Sequence, residues 1–150
     1  MIALVQRVTS ASVSKVTSPD QSRGINLGFL IHLGVAQTDS AQDVDKLVNK
    51  IAKIRLFSDD AGKLNLDLAS AKASILLISQ FTLIADYSSG NRPSFLKAAP
   101  AAQALELYQL LIAKLKQASI PCEHGFFGEY MTIKASLDGP VTIILDSAKL

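Results

Sequence analysis

Cysteine occurs once in this chain, at Cys122, tryptophan does not occur, and histidine occurs only twice, at His32 and His124. A single cysteine excludes an intramolecular disulfide. With two separated histidines it leaves no soft-ligand cluster for a structural zinc, so no structural metal is expected. Cys122 has no basic motif beside it to lower its pKa and reads as a small buried hydrophobe rather than a nucleophile. Long apolar runs are missing too. Ser74 to Ile78 and Gly28 to Ala36 are far shorter than the ~20 residues that span a bilayer. The start, Met1-Ile2-Ala3-Leu4-Val5, meets Gln6 and Arg7 at once, without the basic region and long apolar run of a signal peptide. A cytoplasmic location with no membrane contact is therefore expected. Charge of one sign is scarce as well: 15 Lys+Arg stand against 13 Asp+Glu, a formal net charge of +2. The basic residues are spread from Arg7 to Lys149, so any surface for nucleic-acid phosphates must be assembled by folding.

What is present is a large apolar content, 49% of 150 residues, with no linker-like stretch. That predicts one domain, residues 1–150, around a single core. From Ile2 to Val16 apolar and polar residues alternate roughly, the pattern of a kinked strand with one buried face. Ser18 to Ser22 has turn chemistry, and Ile25 to Val35 reads as a second strand completing a hairpin. Asp39 or Ser40 can cap a helix whose apolar positions Val44, Leu47, Val48, Ile51 and Ile54 carry it to near Phe57. Leu64 to Leu68 is an edge segment or loop. Ala73 to Leu83 is nearly continuous apolar sequence and predicts a central strand covered on both faces. Pro100 suits a first helical turn, and Ala104, Leu107, Leu111, Leu115 and Ala118 mark one face of a second helix. Ile120 to Glu123, Tyr130 to Ala135 and Val141 to Leu145 are three further short strands.

Three segments carry chemistry: Gln6-Arg7-Val8, Ser79-Gln80-Phe81-Thr82-Leu83 and Asp138-Gly139-Pro140-Val141-Thr142. Alone, each has an ordinary structural reading. Ser and Thr at a strand end commonly satisfy local backbone groups, Phe81 could be core, Gly-Pro is a common turn, and Arg7 could be a surface charge on a strand. Ser79 lies outside a Gly-x-Ser-x-Gly elbow, and neither histidine is marked as its base; His32 reads as a satisfied strand residue. Taken together with Asn91-Arg92-Pro93-Ser94-Phe95, Ala11-Ser12-Val13, Phe57-Ser58-Asp59 and Gly62-Lys63-Leu64-Asn65-Leu66, in this order, they make the chain resemble the D-aminoacyl-tRNA deacylase family over essentially its whole length. One position departs. The family usually has asparagine two residues before the Gly-Pro glycine, and here stands Leu137, which removes an amide able to hydrogen-bond beside the pocket.

The resemblance implies a three-layer α/β/β domain, with two helices on one face of a mixed sheet and a second small sheet or barrel-like closure. It implies metal-independent hydrolysis, without a diffusible cofactor, of the ester joining a D-amino acid to the 3′ adenosine of tRNA, assisted by the substrate's own 2′-hydroxyl. Catalytic roles fall on Ser79, Gln80, Phe81 and Thr82: Thr82 orients the ester, Phe81 contributes its backbone, and Ser79 and Gln80 shape the floor. Gly139 and Pro140, cis in the family, form a chiral gate that enters the partner subunit's pocket of a homodimer. Arg7 is expected to hold that gate through guanidinium donors. Phe127 and Met131 match adenosine-binding positions, although core packing suits them equally. A backbone gate close to the α-carbon refuses every L side chain alike, whereas glycine has no side chain to refuse, so glycyl-tRNA is an expected second substrate. Two other readings remain: a dimeric tRNA-binding module of the same fold without activity, and a related deacylase with a trans Gly-Pro and relaxed chirality.

Overall fold

The computed structural model describes residues 1–150. Strand β1 (Ile2–Lys15) is the spine of a mixed sheet. Along one edge it pairs antiparallel with β2 (Ser22–Ile25) through Ala11 to Ser14 and with β3 (Gly28–Gly34) through Ile2 to Val8. The predicted single strand Ile25 to Val35 is thus two strands, broken at Asn26-Leu27.

Helix α1 (Ala41–Lys53) starts at Ser40, whose backbone N–H donates to the Asp43 carboxylate at 2.9 Å, one half of a capping box. The helix ends four residues before Phe57. Ile54 adopts an extended backbone, and Phe57 is drawn into β4 (Phe57–Ser58), where its ring stacks on Phe29 at 4.9 Å. Strand β5 (Leu64–Leu66) pairs with β4 as a separate small sheet.

Strand β6 (Ser74–Ser79) lies parallel to β3 and is interior to the sheet, as its apolar run predicts. Helix α2 (Ala101–Gln117) follows Pro100, and β7 (Cys122–His124) adds parallel to β6. The last two predicted strands are one, β8 (Met131–Asp146), running antiparallel along the free edge of β1.

Alternation explains the layers. Ala3, Val5, Phe29, Ile31, Leu33, Ile75 and Leu77 face both helices and, with Val44, Leu47, Ile51, Leu107, Leu111 and Leu115, form the main core. The opposite set, Leu30, Leu76 and Ile78, meets Val8, Ala11 and Val13 in a second core. Odd-numbered Ala3 and Val5 face the main core and Val8 the second, but beyond Val8 the odd-numbered Ala11 and Val13 turn to the second core as well, because the pairing of β1 with β8 slips on either side of Val8. A strand that slips by one residue turns its other side inward, so the far half of β1, with β2 and β8, curls over the sheet. The expected mixed α/β architecture, with helices on one face and a barrel-like closure, is the observed one.

Candidate active site

Ser79 ends β6, and the Gln80 N–H makes one more sheet bond, to the Leu33 carbonyl at 2.8 Å. The sequence predicts a strand to Leu83, but Phe81–Ile84 is a turn of 3-10 helix. Gly34 permits it. A Cβ there would stand 2.9 Å from Leu83 Cβ and 3.2 Å from the Gln80 carbonyl, so only glycine lets the turn lie against the end of β3. The first bond inside the turn is Leu83 N–H to the Gln80 carbonyl, which leaves the N–H groups of Phe81 and Thr82 without partners within it.

Side chains here point outward although they follow an apolar strand. Phe81 is 57% exposed and meets Phe95 edge-on at 5.0 Å. Such a pair contributes about 0.5–1.5 kcal/mol beyond burial and holds the 91–95 segment across the turn. That segment is closed by paired backbone bonds between Asp86 and Ser94 and by Lys97 Nζ, 2.7 Å from Asp86 Oδ2. Lys97, followed by hydrogen bonds from Ser88, holds the Asp86 carboxyl well below the ordinary range. The Gln80 amide donates through Nε2 to Thr82 Oγ1. His32, half-buried on β3, faces Gln80. Burial pulls its pKa below 6.5, and the neighbouring Gln80 side chain opposes that shift.

Phe127 and Met131 border the carboxyl ends of β6 and β7. The Gly125 N–H donates to the Leu77 carbonyl at 2.9 Å, anchoring the 125–131 loop two residues from Ser79. Phe127 packs on Tyr108 at 5.7 Å, on the helix side. Met131 Sδ accepts from the Phe126 N–H at 3.2 Å and packs against the second core. The two side chains therefore occupy opposite faces of the loop. Cys122 is partly buried, and burial pushes its thiol pKa up to about 12, as befits an inert hydrophobe.

Gly139-Pro140 lies elsewhere. Thr142 stands opposite Gln6 and Leu137 opposite Val8, so residues 138–141 bulge outward against Arg7 alone. The Gly139–Pro140 peptide is cis, Gly139 has φ +123°, and both residues are exposed. Arg7 is buried. Its Nη1 donates to the Leu56 carbonyl at 2.7 Å, and its Nε sits 2.8 Å from Asp138 Oδ2 without the alignment of a hydrogen bond. Arg7 thus reaches Asp138, the residue before Gly139. Arg7 is level with Phe29 and Ile75, whereas Ser79 is level with Leu33 and Ala3. At about 3.3 Å per residue along the strands and about 4.8 Å between them, the bulge is on the order of 20 Å from Ser79 in the same chain. One protomer does not bring its Gly-Pro to its own Thr82.

The D-Tyr-tRNA(Tyr) deacylase family model matches residues 4–146. The chain belongs to that family. A D-aminoacyl-tRNA deacylase of Dictyoglomus turgidum is 45% identical over 150 residues, covering 100% of this chain and 95% of the relative. One from Thermosipho melanesiensis is 43% identical, covering 100% and 99%. Among solved structures, the c-Myc DNA unwinding element binding protein superposes with a TM-score of 0.89 at 35% identity, covering 97% of this chain and 98% of that one. A probable eukaryotic D-amino acid tRNA deacylase, at TM-score 0.82 and 11% identity, covering 96% and 97%, shares the deacylase fold. No helix is long and apolar enough to cross a membrane.

Phe95 and Gly34 are site residues the sequence reading did not assign. Phe95 ends the Asn91-to-Phe95 phrase, but nothing in one dimension pairs it with Phe81. Gly34 closes an apolar strand, and a glycine there signals a close approach without naming what approaches.

Proposed function

We propose that this chain is a D-aminoacyl-tRNA deacylase acting as a homodimer in the cytoplasm. The ester carbonyl of the substrate lies at the 3-10 turn, where the free N–H groups of Phe81 and Thr82 receive the negative charge that develops on its oxygen. Thr82 orients the ester, and Ser79 and Gln80 form the floor. Water adds to the carbonyl carbon with help from the substrate's 2′-hydroxyl. The bond to the ribose oxygen breaks, that oxygen takes up a proton, and free amino acid and tRNA depart. Phe127 and Met131 border the adenosine.

Selection against L-amino acids comes from Gly139 and Pro140 of the partner subunit, whose main-chain oxygens stand beside the substrate's α-carbon. The observation that carries this is the exposed bulge of residues 138–141, far from its own Ser79 yet braced by buried Arg7 through Asp138. A braced protrusion with no role at its own site is suited to a neighbour's. A sheet surface whose charge is confined to the Asp146–Lys149 pair at its end supports the pairing. Leu4 lies between His32 and Ile144, and Gln6 beside Thr142, all on the face that carries Gln80; Ile144 is 68% exposed. A contiguous apolar and neutral patch of this kind marks an association surface.

The test is release of amino acid from D-Tyr-, L-Tyr- and Gly-tRNA. D-tyrosine and glycine should be released and L-tyrosine retained. Equal rates for the two tyrosyl enantiomers would defeat the backbone gate. Binding of tRNA with no turnover of any ester would leave a module without activity.

A further inference from the structure

We propose that His32 is a positioning residue for this reaction, orienting Thr82 through the Gln80 amide. The inference rests on the reading that Thr82 orients the ester. On parallel strands β3 and β6, His32 stands opposite Ile78, and Gln80, two residues on, shares its face. The Leu33–Gln80 backbone bond ties the two segments at this level. The other cross-strand neighbour of His32 is Leu4, so the ring stands between apolar Leu4 and Ile78 with the Gln80 side chain beside it.

The direction of the chain of donors follows from what each group can do. Gln80 Nε2 donates to Thr82 Oγ1, which turns Gln80 Oε1 away from the threonine as an acceptor needing a donor. A neutral imidazole has one N–H, and burial keeps His32 neutral near pH 7. His32 N–H therefore donates to Gln80 Oε1, which holds the amide in the orientation where its NH2 meets Thr82. With Oγ1 already accepting, the Thr82 hydroxyl proton is directed outward, toward the substrate. Without His32, Oε1 and Nε2 exchange places at little cost. Thr82 would then donate to Gln80 rather than to the ester.

Three variants separate this relay from plain packing. His32→Leu keeps apolar volume between Leu4 and Ile78 but has no donor, whereas His32→Asn and His32→Gln keep a neutral N–H on shorter or longer stems. Release of D-tyrosine from D-Tyr-tRNA is followed with the intact chain, with circular dichroism and melting temperature checked for each variant. The relay predicts that His32→Leu loses about tenfold in kcat with KM nearly unchanged, a loss of about 1.4 kcal/mol that acts on orientation rather than on binding. At least one amide variant should recover to within about threefold of the parent. A packing role predicts the opposite ranking, with leucine tolerated and both amides impaired. That ranking, equal loss in all three, or no loss in any overturns the relay. Absence of turnover by the parent enzyme sinks the deacylase reading and the relay with it, whereas turnover unaffected by His32→Leu sinks the relay alone.

Discussion

At the scale of single residues, the site depends on a few polar groups set among apolar ones. His32 illustrates how position alters chemistry. An unfolded chain holds this imidazole near pKa 6.5, and burial in the fold lowers it. As pH falls through 6.5, the unfolded chain takes up a proton that the folded chain refuses. Folding stability from this group is therefore present above 6.5 and is lost on acidification, until the folded value is also passed. Denaturant unfolding at a series of pH values should show a decline below about pH 6.5 that His32→Leu lacks. Identical pH profiles for the two proteins would contradict it. Arg7 makes a similar point by different means. Its charge is buried, and it is compensated by the Leu56 carbonyl and the Asp138 carboxylate at the base of the bulge.

At the scale of elements, the decisive feature is where β6 stops. The apolar run to Leu83 reads as strand because periodicity registers burial, and it has no term for the turn that Gly34 admits on the neighbouring strand. Gly34→Ala should push the 3-10 turn away from β3. The expected cost is about 1–3 kcal/mol of stability, typical of overpacking, with a fall in kcat exceeding that of an exposed control substitution. Thermal unfolding and D-Tyr-tRNA turnover measure the two effects, and retention of both would show that the turn does not depend on that contact. The bulge in β8 is equally an element-scale event. In sequence, residues 130–135 and 141–145 look like two strands around a Gly-Pro turn, but both halves pair with the same long strand β1, so the intervening residues are extruded from one continuous ladder.

At the scale of the whole molecule, the distance between the Gly-Pro bulge and Ser79 of the same chain makes the proposed site a property of two subunits. Ile144→Glu places an unpaired charge in the apolar part of that face, beside Leu4 and His32, where a lone protomer tolerates it because the residue is exposed. Sedimentation should then report a monomer with native circular dichroism, and D-Tyr-tRNA turnover should fall steeply, because burying an unpaired carboxylate costs several kcal/mol. A fully active dimer carrying this substitution would exclude that face as the interface.

Read alone, the residues determined both helices, the interior position of β6 and the family, because apolar periodicity, capping chemistry and ordered short motifs are local signals. Ser79 to Thr82, Gly139, Pro140 and Arg7 could be named for the same reason. Tertiary structure decided what those residues touch: that Arg7 meets Asp138 and Leu56, that Phe95 meets Phe81, that His32 faces Gln80, and that Gly139 lies far from its own Thr82. Those relations are set by strand register across the curled sheet, which arises from pairing between segments up to about 140 positions apart in the chain and has no counterpart in any local pattern.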